Sequence, residues 1–319
     1  MTDQPICSIV IPSYCSAGTI GLCLSALLNQ DFNQAYEIIV VDSSPDETPD
    51  IIRRDFPQVE LIHLVQQTDP AQARNIGARQ ARGEIVAFID SDCVAAPDWL
   101  DRLYTTLQAG YDAVGGAIAN HNGETLVSWA GYFCEFREFL PVGPARNVDN
   151  LTLGNVAYRR KTFWDIGGFP AGYFPQEDQV FHRRLRQRGL KIRFDPQIIV
   201  AHHHRSKWQA FLKHQRHIGW ANARVLKKVN FSGAEFARRR WLVIMALPAL
   251  LLFRFIRTLL ICRNIEQGLV WRQPFLIWLC WLGMCCWGLG FLERAFAIRW
   301  RIAARARALV LERVTALSK

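Results

Sequence analysis

A chain of 319 residues has room for one large or two modest domains with a genuine core. Its formal net charge of +10 is unevenly spread: residues 203–319 carry 21 Lys/Arg against 4 Asp/Glu, and residues 1–202 carry 17 against 24. An acidic globular part followed by a basic, apolar tail predicts a membrane- or nucleic-acid-facing end, while nine cysteines without a C-x-x-C argue against a zinc site or a disulfide framework.

No signal peptide is expected, because residues 1–5 offer neither a basic n-region nor an apolar h-region. Cys7–Pro12 reads as a short apolar strand, and a turn over 13–18 leads to a helix at Ile20–Gln30 with Leu24, Leu27 and Leu28 on one face. Tyr36–Asp42 reads as a second buried strand that ends on a carboxylate. Val59–Val65 is a third, and Ala71–Arg82 is a helix stopped by Gly83. Ile85–Ile89 is short, apolar and β-branched, and it breaks off at Asp90-Ser91-Asp92. Strands alternating with helices in this way predict an α/β fold with a mostly parallel, doubly wound sheet. Further on, Glu177 and Asp178 open a helical run to Arg188, and the strand Ile198–Ala201 ends at His202-His203-His204.

The tail points to a membrane. Pro274–Leu292 holds no charged residue over 19 positions, about the length that crosses a bilayer core, and Trp271 and Trp300 flank it. Trp241–Cys262 is interrupted by Pro248, Arg254 and Arg257, which suits a tilted second span, a re-entrant hairpin or an interfacial helix. Arg238-Arg239-Arg240 ahead of it marks a cytoplasmic boundary. Arg294–Leu309 alternates arginines with Phe296, Trp300 and Ile302, as an amphipathic helix on an anionic surface or a solvated basic helix would.

Three strand ends carry chemistry: Pro12-Ser13-Tyr14, Asp42 and Asp90-Ser91-Asp92. In a parallel sheet they open on one edge, where ligands of α/β folds collect. A carboxylate pair at a strand end suits a hard cation, Mg²⁺ or Mn²⁺. Asp42 has the chemistry to accept from a base N–H or a ribose hydroxyl. Neither G-x-G-x-x-G nor G-x-x-x-x-G-K-[ST] is present, so phosphates would be neutralised by a cation at Asp90/Asp92 with help from Arg74. This combination predicts a nucleoside diphosphate held through metal.

Five stretches carry a resemblance, in order over residues 6–205: S-I-V-I-P-S-Y, E-I-I-V-V-D-S-S-P-D-E-T, A-R-N-I-G-A-R-Q-A-R-G-E-I-V-A-F-I-D-S-D, G-N-V-A-Y-R-R-K-T-F-W-D-I-G-G-F and Q-E-D-Q-V-F-H-R-R-L-R-Q-R-G. Together they resemble the family 2 glycosyltransferases with the GT-A fold. The resemblance implies inverting transfer of a sugar from a UDP-, GDP- or dTDP-sugar with Mg²⁺ or Mn²⁺. It places Pro12, Tyr14, Asp42, Arg74, Asp90 and Asp92 at the nucleotide sugar, with Asp42 on the base, Asp90 toward the ribose and Asp92 on the metal. His202, and after it His204, is expected to complete the metal site. Asp178 resembles the catalytic base, while Gly154, Asn155, Glu177 and Arg184 fall on the acceptor side.

Two departures touch the base pocket: Cys15 stands where asparagine is usual, and Ser43-Ser44-Pro45 replaces the common Gly-Ser turn. The Q-x-x-R-W motif of processive synthases is missing, which favours single-sugar addition. The expected organisation is a GT-A domain over 1–205, with a nucleotide-sugar half to residue 100 and an acceptor half from 101. An amphipathic basic connector over 206–240 and a membrane-associated helical region over 241–319 follow. The expected acceptor is a lipid-linked sugar or cell-surface polysaccharide at the cytoplasmic membrane face, with no nucleic-acid partner. A nucleotidyltransferase would also use strand-end aspartates and metal but wants a glycine-rich phosphate loop. A non-catalytic membrane scaffold would have no use for Asp42, Asp92 and Asp178 together.

Overall fold

Apolar runs bounded by Ser, Pro and Asp become the strands of one mixed sheet in the computed structural model, which describes residues 4–229 and 234–296. β1 (Cys7–Ser13) leads to α1 (Ile20–Leu28), β2 (Tyr36–Asp42), α2 (Thr48–Asp55), β3 (Glu60–His63), α3 (Pro70–Gln80) and β4 (Ile85–Ile89). After β5 (Cys93–Ala95) come α4 (Trp99–Gln108), β6 (Ala113–Asn120), α5 (Leu126–Phe136), β7 (Arg146–Asn147), β8 (Asn155–Arg159), α6 (Arg160–Asp165), α7 (Glu177–Gln187) and β9 (Ile192–His202).

The strands lie in the order β3-β2-β1-β4-β8-β6-β9-β5, with β7 paired on β9. β1 to β4 pair in parallel, as the alternation of strand and helix predicts. β8 then runs antiparallel to both β4 and β6, and β5 and β7 run antiparallel to β9. The sheet is therefore mixed where a mostly parallel one was expected. The reversal has a positional reason: it brings the residues just before β8 to the carboxyl end of β4, with Ile89 opposite Asn155.

Local chemistry fixes the elements that matter for the site. Asp69 caps α3 by accepting from the Ala71 N–H at 2.9 Å, and Pro70 follows at the first helical position. The buried face of α3 is made of Ala71, Ala73, Arg74, Gly77 and Ala78. Its small residues let the helix lie close on β1; a Cβ at Gly77 would fall 2.4 Å from Val10 Cγ1. On α7, Val180, Phe181, His182 and Leu185 are buried, and Phe181 meets Tyr158 of β8 edge-on at 5.2 Å. Phe88 of β4 packs between Phe163 and Phe169 at 5.4 and 5.0 Å. This aromatic core anchors the start of α7 against the end of β4.

The described residues divide into two compact units between His204 and Arg205. The second holds α8 (Trp208–Lys228), α9 (Ala234–Arg238), α10 (Arg240–Ile261), a 3₁₀ turn (Cys262–Gln267), α11 (Leu269–Arg272) and α12 (Pro274–Ala295). Two helical stretches, Arg240–Gln267 and Pro274–Ala295, are long and apolar enough to cross a membrane by length and composition. α10 continues through Pro248, and Arg254 lies with its guanidinium 4.2 Å over the buried Trp287 ring of α12. Trp241, Met245, Phe253, Phe275 and Trp278 leave a broad apolar surface exposed on these two helices. The basic helix expected over Arg294–Leu309 lies, beyond Phe296, outside the described residues.

Candidate active site

β1, β2 and β3 end level with one another, because Ser13 pairs with Asp42 and Asp42 pairs with His63. Asp42 is fully buried and its oxygens are taken: it accepts from Ser44 N–H at 3.0 Å, from the Ser44 hydroxyl at 2.6 Å and meets His63 Nδ1 at 2.9 Å. It organises Ser44 and His63 beside the ends of β2 and β3 and, with no exposed surface, does not present its own oxygens to a base as expected. His63 was not among the expected site residues; the structure ends β3 there, in register with Asp42. Pro12 is half-buried and Tyr14 is 44% exposed at the strand's rim. Cys15 follows with φ of 52°, the left-handed backbone in which asparagine is at ease, and its N–H donates to the Ser44 hydroxyl at 2.7 Å. The Ser16 and Ser91 hydroxyls, 2.7 Å apart, tie this loop to the D-x-D turn.

Arg74 joins the two acidic motifs. One guanidinium nitrogen is 2.5 Å from Asp90 Oδ1 and another 3.1 Å from Glu177 Oε1, with the Arg74 and Glu177 side chains only 6% and 3% exposed. Burial pushes the Glu177 carboxyl up to about 7 against the pull of Arg74. Gly154 lies against the same group: a Cβ there would sit 3.0 Å from Asp90 Oδ2.

Asp92 is the open carboxylate, with its side chain 41% exposed. Pairing of Cys93 with His202 in β5 and β9 brings His202 Nε2 to 3.5 Å from Asp92 Oδ2, and Cys93 Sγ lies 3.8 Å from Asp92 Oδ1. One ligand atom from each of Asp92, Cys93 and His202 falls within 4.8 Å of the others. His202 is buried, with no hydrogen bond to its Nδ1. His204 is not part of this group of ligand atoms: its main chain is clasped by Asn122 through bonds of 2.7 Å each way, and its ring lies 4.4 Å from the His202 ring, among Tyr132 and Phe136.

Asp178, in the first turn of α7, accepts from Asn150 Nδ2 at 3.0 Å, while its Oδ1 is buried without a hydrogen bond. Burial pushes its carboxyl up to about 6, opposed by the Asn150 hydrogen bond and by Arg74. Asp90, Arg74, Glu177 and Asp178 thus form one continuous cluster. Asn150 is a site residue that carried no signal in the sequence; it lies in a loop between two short strands.

One acceptor-side expectation is corrected. Asn155 is fully buried; its amide donates to Ala117 O and Ile198 O at 2.9 Å each, and its Oδ1 accepts from Trp99 Nε1 at 2.9 Å. Those carbonyls flank the register shift between Gly116 and Ala117 where β6 meets β9, so Asn155 satisfies a β-bulge rather than facing a sugar. Arg184 is exposed, makes no ion pair among the described residues, and lies two helical turns, about 10 Å, along α7 from Glu177.

Comparison with known proteins gives a consistent answer. The glycosyl transferase family 2 model matches residues 8–167. A glycosyltransferase of Haloferax volcanii, AglE, is 30% identical over 254 residues, covering 76% of this chain and 82% of the relative. The succinoglycan biosynthesis protein ExoO of Rhizobium meliloti is 35% identical over 60% of this chain and 51% of its own length. The glucosyl-dolichyl phosphate glucuronosyltransferase of Haloferax volcanii is 26% identical over 56% of this chain and 62% of its own. Among solved structures, the mannosyltransferase of Pyrobaculum calidifontis, in complex with GDP-Man and Mn²⁺, superposes with a TM-score of 0.59 at 18% identity, covering 91% of this chain and 88% of its own. The fold is accordingly a GT-A-like α/β fold with a mixed central sheet.

Proposed function

This chain belongs to glycosyl transferase family 2 and is a glycosyltransferase, and from that premise we propose that it transfers a single sugar from a nucleoside-diphosphate sugar, with inversion and metal dependence, to a lipid-linked or polysaccharide acceptor at the cytoplasmic face of a membrane. The observation that carries this reading is Arg74, which binds the D-x-D aspartate Asp90 and the E-D glutamate Glu177 at once and so sets Asp178 beside the donor end of β4. Its likeness to a succinoglycan biosynthesis protein and to a glucosyl-dolichyl phosphate glucuronosyltransferase supports the acceptor class.

In this scheme Pro12, Tyr14 and the residues that Asp42 organises, Ser44 and His63, receive the nucleoside. Asp90, fixed by Arg74 and left room by Gly154, faces the ribose. Carboxylate and imidazole donors at Asp92 and His202 fit a Mn²⁺ or Mg²⁺ ion, whereas burial keeps the nearby Cys93 thiol protonated and a poor ligand for a hard cation. When bound, such an ion supplies positive charge to the departing diphosphate. The Asp178 carboxylate takes the proton of the acceptor hydroxyl as the hydroxyl oxygen bonds to the anomeric carbon and the bond to the diphosphate breaks. With its carboxyl held up at about 6, Asp178 is ionised yet basic enough at neutral pH to do so. α10 and α12, each of 22 residues and thus about 33 Å long, anchor the chain in the bilayer. Arg254 is accommodated there by stacking on Trp287 rather than facing lipid.

Membranes containing the protein, incubated with UDP-, GDP- and dTDP-sugars and Mn²⁺, should release the matching nucleoside diphosphate from one donor class. Failure with every donor, together with consumption of a nucleoside triphosphate, would replace this reading with a nucleotidyltransferase.

A further inference from the structure

Behind Asp178 runs a chain of hydrogen bonds that the transfer step itself leaves unused. Tyr158 Oη lies 2.7 Å from His182 Nε2, His182 Nδ1 lies 2.7 Å from Asn150 Oδ1, and Asn150 Nδ2 donates to Asp178 Oδ2 at 3.0 Å. Chemistry sets the direction of each bond. An ionised carboxylate only accepts, so Asn150 turns its NH₂ toward Asp178 and its oxygen toward His182. An amide oxygen at 2.7 Å needs a hydrogen, which places the His182 proton on Nδ1; the Leu151 N–H also approaches that nitrogen, but at 3.4 Å it is the longer and weaker contact. Nε2 is then the acceptor for the Tyr158 hydroxyl. Burial drives His182 down to about 3, with Arg186 adding to the effect, so the ring stays neutral. Burial, and secondarily Asp178, raises the Tyr158 phenol well above its ordinary value, so it stays a donor. Every donor in the chain points at Asp178, and each bond polarises the next.

We propose that Asn150, His182 and Tyr158 are positioning residues for the base, fixing the Asp178 carboxylate through its Oδ2 and favouring its ionised form. The proposal rests on the reading of Asp178 as the base. The other charged groups facing Asp178 are Arg74 from α3, which favours its ionised form, and Glu177 beside it on α7. Neither replaces a donor fixed on Oδ2, and His182, neutral throughout, leaves Asp178 to set the acid limb of the rate profile.

The test is the pH profile of kcat/KM for the full chain in detergent, using the UDP-, GDP- or dTDP-sugar that gives nucleoside diphosphate release. Asn150→Ala alters a half-buried loop residue and removes the final donor. The acid limb should move to higher pH by about one to two units, the size of a hydrogen bond to a charged group, with the donor KM unchanged. His182→Leu should move it the same way, and His182→Asn, whose amide nitrogen can stand in for Nδ1, should bring it back. An unmoved limb in both Asn150→Ala and His182→Leu, including a loss of kcat that is uniform over pH, overturns the proposal. Asp178→Asn separates the two levels. If that variant is inactive while Asn150→Ala keeps the parental limb, only the positioning claim falls; if it turns over normally, the base assignment falls as well.

Discussion

Replacing Arg74 by methionine tests the cluster that organises the site. The side chain is 6% exposed and stands between Asp90 and Glu177, themselves 33% and 3% exposed. Its removal leaves two carboxylates around a dry gap with no cation. Breaking a buried ion pair from one side costs about 3–5 kcal/mol, which for a chain of this size lowers Tm by roughly 10 °C. The loss should shrink as pH falls, because Glu177 already titrates at about 7 and takes up a proton that relieves the repulsion. Arg74→Lys should recover little, since an ammonium lacks the planar fork that reaches both partners. Adding Glu177→Gln to Arg74→Met should restore part of the lost stability, and the double-mutant cycle measures that coupling. Thermal melting of the full chain in detergent between pH 5.5 and 8.5 reads all of this. A Tm within 1 °C of the parent for Arg74→Met at pH 8 would refute the buried-bridge reasoning.

Three further outcomes follow from the same geometry. Asp178→Asn should cut kcat by roughly 10²–10⁴-fold and yet raise stability. The folded carboxyl titrates at about 6 and the unfolded one at 3.8, so the ionised form is disfavoured by folding; the gain should be absent below pH 3.8, grow as pH rises, and approach at most ~3 kcal/mol above pH 7. Asn155→Ala should lower Tm by several degrees, because two carbonyls and the Trp99 N–H lose their partner, each costing about 1–3 kcal/mol. A selective rise in acceptor KM with unchanged Tm would instead put Asn155 back at the sugar. Asp92→Asn and His202→Ala should each weaken Mn²⁺ binding, read by the electron paramagnetic resonance of the free ion, whereas His204 variants that melt normally should leave it intact.

Much of this was legible in the chain before any coordinate. Ile85–Ile89 is too short and too β-branched for a helix, so Asp90 and Asp92 had to fall at a strand end, and they do. Glu177 and Asp178 open α7 as the polar start of an amphipathic run should. The antiparallel half of the sheet was hidden, since β6 carries Gly115 and Gly116 and β9 carries Pro196, and both interrupt the apolar patterns by which strands are read. Asn155 misled because an asparagine beside a glycine looks the same in sequence whether it meets a ligand or a β-bulge. The bond from Arg74 to Glu177 spans 103 positions, and nothing local in either segment encodes such a distance. Asn150 and His63 were invisible for the same reason: their roles exist only through partners brought by the fold.

The configuration of the transferred sugar tests the account most directly. A base at Asp178 on the acceptor side, facing a diphosphate that leaves from the Asp92 side, requires one in-line displacement. Nuclear magnetic resonance of the product, with an α-linked donor, should show a β-linked sugar. An α-linked product would mean two displacements or front-side attack, and the assignment of Asp178 as the base would be wrong.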